Sequence, residues 1–159
     1  MTAPRPARAE DAPAIVRVVD AAYRGYIPRI GKPPGPMLDD YPARIAAGQA
    51  WVLDRDGQIA AALVLEAEPD GFVLDNIAVD PAHQGKGIGR ALIAFAEARA
   101  FAAGYREISL YTNAAMVENV ALYTRLGFRE VRRGEANGFQ RVWMAKPLGG
   151  AAEVGPPSA

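Results

Sequence analysis

Three apolar runs crowded between residues 50 and 81, AWVLDRDGQIAAALVLEAEPDGFVLDNIAVDP, constrain this chain more than any other feature. They are divided by Asp56-Gly57 and Asp70-Gly71. Asp-Gly pairs readily take the left-handed conformations that tight hairpins demand, so the three runs read as an antiparallel meander. A meander this apolar cannot leave both faces in water. It needs helices from the rest of the chain to cover it.

The flanking sequence supplies them. Asp11 is placed to cap a helix over 11–23, with Pro13 in its first turn and Ile15, Val18, Val19 and Ala22 at helical spacing. IPRIGKPPGPM, residues 27–37, is too rich in proline and glycine to continue that helix, and it reads as a loop leading to a short helix near 38–47, stopped by Gly48. After the meander a glycine run opens a helix with Ile88, Leu92, Phe95 and Ala102 along one stripe and Gly104 as its stop. EISLYTN reads as a strand, MVENVALYTRLGF as a helix ended by Gly127, and FREVRRG and FQRVWMAKPL as two strands around the turn EANG. This order predicts α/β layers around a partly antiparallel sheet.

Composition removes many chemistries. The 159 residues are half apolar, enough for one domain, and Lys plus Arg (18) balances Asp plus Glu (18). No global field therefore favours nucleic acid or an anionic membrane. With no cysteine and one histidine, disulfides, Cys/His zinc sites, a cysteine nucleophile and most Ser-His-Asp arrangements are excluded, and no metal is expected. No apolar run reaches about 18 residues, and MTAPRPARAE lacks a signal-peptide core, so a cytoplasmic protein is expected. GGAAEVGPPSA, residues 149–159, has no large apolar anchor and reads as a disordered tail.

HQGKGIGRALIAFAEARA, residues 83–100, places glycines at 85, 87 and 89 immediately before the helical pattern. Glycine lets backbone approach a ligand closely and take conformations closed to other residues. Several N–H groups can then converge on one anion, joined by the positive end of the helix and by Lys86 and Arg90. A phosphate or diphosphate suits that arrangement. The spacing is neither G-x-G-x-x-G nor G-x-x-x-x-G-K-[ST], which counts against a nicotinamide dinucleotide fold and a nucleotide triphosphatase.

Residues 77–89, IAVDPAHQGKGIG, resemble the signature of the GNAT superfamily of acetyl-coenzyme A-dependent N-acetyltransferases, with Gln84, Gly87 and Gly89 in its Q/R-x-x-G-x-G/A core. ALYTRLGF, 121–128, resembles that family's later Leu-Tyr helix with a closing Gly-Phe. The resemblance covers about residues 3 to 148 and implies a single N-acetyltransferase domain over 1–148. The fold it implies is a GNAT-like α/β (α+β) acyl-CoA N-acyltransferase fold: a central, mixed but mostly antiparallel seven-stranded sheet flanked by about four helices.

The same resemblance implies roles for particular residues. Backbone from Gln84 through Gly85, Lys86, Gly87, Ile88, Gly89 and Arg90 would hold the cofactor's pyrophosphate. A backbone N–H of the strand Ile77-Ala78-Val79, freed by a bulge and by splaying from the next strand, would stabilise the thioester oxyanion. Tyr123 matches the general acid that protonates the departing thiolate. The family commonly has Asn seven residues before this tyrosine and Ala four before it; this chain has Met116 and Asn119, leaving open whether Asn119 or Asn113 contacts the pantetheine arm.

Asp75 shares strand parity with Ile77 and Val79, which makes it the candidate base ahead of Glu66, Glu68, Tyr26 and Tyr111, and also a candidate for merely holding a neighbouring loop. His83 is expected at the surface. Tyr26, Arg29 and Tyr111 are candidate acceptor contacts, with Lys32 beside them. Arg132, Arg133 and Arg141 form a second cationic cluster that cross-strand pairing with Glu130 and Glu135 would explain. The leading function is acetyl transfer to a small amine or a protein amino group by direct attack in a ternary complex. A non-catalytic coenzyme A-binding or sensing module and a phosphate-binding interaction domain for another nucleotide are the alternatives. The oligomeric state stays open, a homodimer through the last strands included.

Overall fold

The computed structural model describes residues 3–149; the tail expected over 149–159 lies outside the described residues apart from Gly149. Seven strands form one sheet in the order β1-β2-β3-β4-β5-β7-β6: β1 Arg5–Pro6, β2 Ala50–Arg55, β3 Gln58–Glu68, β4 Gly71–Val79, β5 Glu107–Asn113, β6 Arg129–Ala136 and β7 Phe139–Pro147. The two Asp-Gly turns fall where expected. Asp56 (φ 54°) and Gly57 (φ 79°) both take the left-handed conformation that joins β2 to β3. Two residues between β3 and β4 permit only a hairpin. β4 and β5 pair in parallel from Phe72↔Ile108 to Leu74↔Leu110, because helix α4, Ile88–Ala102, carries the chain back between them.

The helical path after α1, Ala12–Tyr23, is longer than the sequence suggested. A 3-10 turn at Arg24–Tyr26 leads into the one-turn helix α2, Ile27–Ile30. Pro28 sits at the start of α2, where its missing N–H costs nothing, and the path stops at Gly31 (φ 90°). Helix α3, Tyr41–Ala46, is capped by Asp40, which accepts from Ala43 N at 3.1 Å. Helix α5 spans Val117–Arg125.

Two compact units are distinguished. One comprises the chain up to Glu66 together with Asp75–Phe95; the other comprises Ala67–Leu74 and the chain from Ala96. The first buries Ile15, Val18 and Val19 of α1, Val52, Leu53, Leu63 and Val64 of the meander, and Ile88, Leu92 and Ile93 of α4. The buried stripe of α4 continues through Ala96 and Ala100, which replace the expected Ala102, an exposed residue. Phe95 is half-buried, edge-on to Trp51 with ring centroids 5.1 Å apart. The second unit buries Ile108, Leu110, Val142, Met144 and Phe128, and Lys146 pairs with Glu97 at 3.0 Å.

Asp11 occupies the cap position of α1, yet its carboxylate does not cap. It accepts from Arg8 N at 2.7 Å and from the Arg5 guanidinium at 2.9 Å, and Arg5 also reaches Asp54 at 2.6 Å. The carboxylate thereby ties β1 to the start of α1. The hydrogen bond from Arg5 holds the Asp11 carboxyl below its ordinary pKa of 3.8. A folded-state pKa below the unfolded one means that folding favours the ionised form, so this contribution is complete above about pH 4 and disappears as pH falls through the folded value. Asp11→Asn should therefore cost about 1–3 kcal/mol at pH 7. In denaturant titrations the gap from the parent protein should narrow steadily below pH 4; a gap independent of pH would contradict this reading.

Candidate active site

β4 runs directly into the glycine-rich segment, and local hydrogen bonds fix the chain between them. Asp80 N donates to Ala60 O at 2.9 Å, while the Asp80 carboxylate caps the short turn Pro81–His83 by accepting from Ala82 N at 2.9 Å. His83 N and Gln84 N donate back to Asp80 O and Pro81 O. The Gln84 amide is thus engaged within the turn, whereas Gly85 begins the exposed glycine-rich segment. Gln84 acts instead through its side chain, donating from Nε2 to Val79 O at 3.1 Å. His83 is half-buried.

Beyond Gln84 the backbone changes character. Gly85 (φ 79°) and Gly87 (φ 78°) are left-handed, and Lys86 lies between them. Such alternation turns successive N–H groups toward one point, a concavity suited to an anion. The bond from Ala91 N to Gly87 O, at 3.1 Å, opens the ladder of α4, so helix geometry leaves the N–H groups of Ile88, Gly89 and Arg90 without intrahelical acceptors. Ile88 is 1% exposed and anchors this end in the core, whereas Gly85 to Gly87 and the side chains of Lys86 and Arg90 face out. A Cβ placed on Gly85, Gly87 or Gly89 would meet nothing within 4 Å. The Cβ side of these glycines is therefore open, beside two exposed cations.

The end of β4 has an unusual edge. Asn76 and Ala78 are buried, while Asp75, Ile77 and Val79 share the half-exposed face. The Ile77 carbonyl accepts from the Tyr23 hydroxyl at 2.7 Å, and the Val79 carbonyl accepts from Gln84. Side chains, not strand backbone, meet both carbonyls there. The N–H and C=O of one strand residue leave along the same edge, so the Ile77 and Val79 amides point to that edge too.

A buried polar network holds this segment. Asn76, 6% exposed, donates from Nδ2 to the Tyr41 hydroxyl at 2.7 Å, and its Oδ1 lies 3.1 Å from the Tyr23 hydroxyl. Tyr41 donates onward to Pro36 O at 2.6 Å. Burial, reinforced by Asp39 and Asp75, pushes the Tyr41 phenol well above its usual pKa and keeps it protonated as that donor. Arg44 is the second hub. It contacts Asp39 at 2.9 Å, Glu66 at 3.1 Å and Asp75 at 3.1 Å. Burial works against its charge, but Asp75, Asp39 and Glu66 more than offset this and hold its pKa above the ordinary value. Sequence reasoning singled out Asp75 and missed Arg44, Asn76 and Tyr41. No spacing rule joins positions 31 residues apart such as Arg44 and Asp75.

The family description "Acetyltransferase (GNAT) family" matches residues 15–128. The chain belongs to this family. It is 32% identical over 136 residues to the uncharacterized N-acetyltransferase YjgM of Escherichia coli K12, covering 77% of this chain and 78% of that protein. The crystal structure of the ribosomal-protein-S18-alanine N-acetyltransferase from Escherichia coli superposes with a TM-score of 0.71 at 25% identity, over 93% of this chain and 94% of that one. The PaiA N-acetyltransferase from Thermoplasma acidophilum in complex with coenzyme A shares the fold, with a TM-score of 0.74 at 16% identity over 93% and 100% of the two chains. The chain is accordingly an acyltransferase with the GNAT fold.

The other GNAT positions expected from sequence belong to the second unit or to the first loop. Tyr123 is 6% exposed on α5, edge-on to Phe128 at 5.8 Å; Gly127 (φ 100°) turns the chain between them. Asn119 donates from Nδ2 to the Met116 sulfur at 3.5 Å, so the two positions that depart from the family pattern touch each other. Asn113 Oδ1 accepts from Ala115 N at 2.9 Å and shapes the turn before α5. Tyr26 carries the Arg29 guanidinium over its ring at 5.0 Å, and Tyr111 carries that of Arg141 at 4.3 Å. Among the described residues no group of three or more His, Cys, Asp or Glu could hold a metal, and no helix is long and apolar enough to cross a membrane.

The glycines of the cradle make opposite predictions. Gly87→Ala forces a Cβ into a left-handed conformation and should destabilise by about 1–2 kcal/mol. Gly89 has ordinary helical backbone with open space at its Cβ position, so Gly89→Ala should stabilise by roughly 0.5 kcal/mol. Thermal midpoints moving in the same direction for both would contradict the geometry.

Proposed function

We propose that this chain transfers the acetyl group of acetyl-coenzyme A to a primary amine, which attacks the thioester directly while both substrates are bound. The observation that carries the reading is the run of amides from Gly85 to Arg90, turned outward by two left-handed glycines at the start of α4 and following directly on β4. A diphosphate suits that run, with Lys86 and Arg90 adding full charges. Acetyl-coenzyme A supplies the thioester; the chain supplies orientation, charge stabilisation and proton transfer.

Ile77 and Val79 offer amides along the edge where side chains meet their carbonyls, suited to a thioester oxygen as negative charge develops on it. Tyr123 serves as the acid for the departing thiolate. A phenol of pKa about 10 can protonate a thiolate whose acid lies near 8.5 only when held in place, and burial of Tyr123 favours that. An alkylamine of pKa about 10 is only about one part in a thousand neutral at pH 7, which costs about 4 kcal/mol. Asp75 is our choice for lowering that cost: it shares the half-exposed face of β4 with Ile77 and Val79, and Arg44 holds its carboxylate in place. Asn113 and Asn119 are assigned to the pantetheine side, Tyr26, Arg29 and Tyr111 to the acceptor side, and the cytoplasm is the proposed compartment.

A free-thiol assay across a panel of amines tests the reading. Saturable, amine-dependent thiol release is expected. Tyr123→Phe should lower kcat about a hundredfold with little change in KM for acetyl-coenzyme A. Asp75→Asn should lose most at low pH and recover as pH approaches the amine's own pKa. Turnover unchanged by Tyr123→Phe, or a loss in Asp75→Asn that is constant with pH, would contradict these assignments.

A further inference from the structure

The last three strands of the sheet carry a second arrangement of cations. The register pairs Tyr111 of β5 with Trp143 of β7, and Trp143 with Arg132 of β6; it also pairs Arg141 with Gly134. Arg132 lies over the Trp143 ring at 3.6 Å, and Arg141 over Tyr111 at 4.3 Å and Phe139 at 5.7 Å. Pairing with the neighbouring glutamates, expected from sequence, does not account for them. Glu130 is taken by Arg133 three residues along the same strand, at 2.9 Å, and Glu135 accepts from Gly138 N at 3.0 Å.

Register explains the separation. Glu130 opposes Met144, Arg133 opposes Val142 and Glu135 opposes Gln140, so these three occupy one face of β6. Arg132 and Gly134 oppose Trp143 and Arg141 on the other. A one-residue irregularity between Glu130 and Arg132 makes the switch, adding Val131 and placing Arg132 on the face of Arg141, away from the β6 carboxylates. Among the described residues neither guanidinium meets a carboxylate. The acidic residue of β5 on that face, Glu107, lies four positions along the strand from Tyr111, roughly 13 Å away.

A guanidinium stacked on a ring keeps its N–H groups in its own plane, where they can bind an anion. Arg132 and Arg141 are diagonal neighbours across the β6–β7 ladder, a separation of about 7–8 Å in such pairs and somewhat less between Cβ atoms. Gly134 lies between them in the register, and a Cβ built on it meets nothing within 4 Å. Two ring-stacked cations are thus neighbours on one face of the last strands, beside a glycine with open space above it.

We propose that Arg132 and Arg141 form a carboxylate site and that the carboxylate belongs to the amine acceptor. The second part rests on the acetyl-transfer reading: the amides at Gly85 to Arg90, with Lys86 and Arg90, provide for the cofactor's diphosphate, and the anion on a different group of strands is assigned to the other substrate; the cofactor's 3′-phosphate is the competing occupant, which a raised KM for acetyl-coenzyme A would reveal. Arg132 and Arg141 are then specificity-determining residues, and acceptors carrying a carboxylate are preferred to their amides.

Two measurements test this. The protein has two tryptophans, so 5-fluorotryptophan labelling gives one fluorine signal for Trp143 and one for Trp51 as internal control. Titration with succinate, without acetyl-coenzyme A, should shift the Trp143 signal saturably and leave Trp51 in place, while succinamide should shift neither. Arg132→Gln with Arg141→Gln, and separately Gly134→Glu, which adds a carboxylate at the register position neighbouring both arginines, should weaken the response at least tenfold. This arm stands whether or not the chain turns over. In the second, thiol release is compared for an α-amino carboxylate and its amide. The same variants should raise KM tenfold or more for the carboxylate alone, leaving kcat and KM for acetyl-coenzyme A unchanged. No succinate response in folded protein would overturn the site. A succinate response with equal KM changes for both acceptors, or with a raised KM for acetyl-coenzyme A, would overturn its assignment to the acceptor.

Discussion

Backbone N–H groups that a fold leaves without internal acceptors constrain everything around them, because they must be met by water or by a ligand and cannot be packed away. This chain gathers them from Gly85 to Arg90 at the first turn of α4. Two left-handed glycines turn the backbone outward, while Ile88, almost wholly buried, pins the same turn into the core. The helix cannot slide to satisfy these amides without withdrawing Ile88, Leu92 and Ile93 from the interior. Exposure of the amides is in this way enforced by the packing of the same helix.

The strand leading into that turn is fixed with comparable care. One face of β4 contributes Asn76 and Ala78 to the interior, and the network from Tyr23 through Asn76 and Tyr41 to Pro36 joins it to α1 and to the segment before α3. A buried amide and two buried phenols tolerate few alternative arrangements, since each lost partner leaves a desolvated polar group. The network thus sets the position of the strand more sharply than apolar contact alone would. Arg44 does the same for Asp75, drawing charge from three carboxylates at once. Apolar burial supplies the stability of this region, and polar partners determine its geometry.

Features of this protein that depend on local chemistry could be read from the sequence. Asp56-Gly57 and Asn137-Gly138 turn hairpins because those residue types accept positive φ, and Gly48, Gly104 and Gly127 end helical segments for the same reason. The family motifs at 77–89 and 121–128 are local as well, and they led to the seven-stranded GNAT fold. Features that depend on distant partners escaped. Asp11 stands where a cap would, but Arg5 and the Arg8 amide claim its carboxylate. The prolines after Tyr23 suggested a break; Pro28 falls at a helix start and is accommodated. Opposite charges along β6 suggested pairing across strands; Glu130 instead pairs with Arg133 along its own strand, and one register irregularity leaves Arg132 on the other face. At Pro28 the position within the helix decides; the other departures come from tertiary contacts or register overriding a local preference.

The central claim is that the amides from Gly85 to Arg90 hold a diphosphate. Amide chemical shifts followed by nitrogen-15 NMR during titration with coenzyme A test it most directly, with dephosphorylated pantetheine as the control lacking that group. Large, saturable shifts concentrated at Gly85 to Arg90 are expected with coenzyme A, and none there with pantetheine. Saturable binding of coenzyme A that left those six amides unmoved would contradict it.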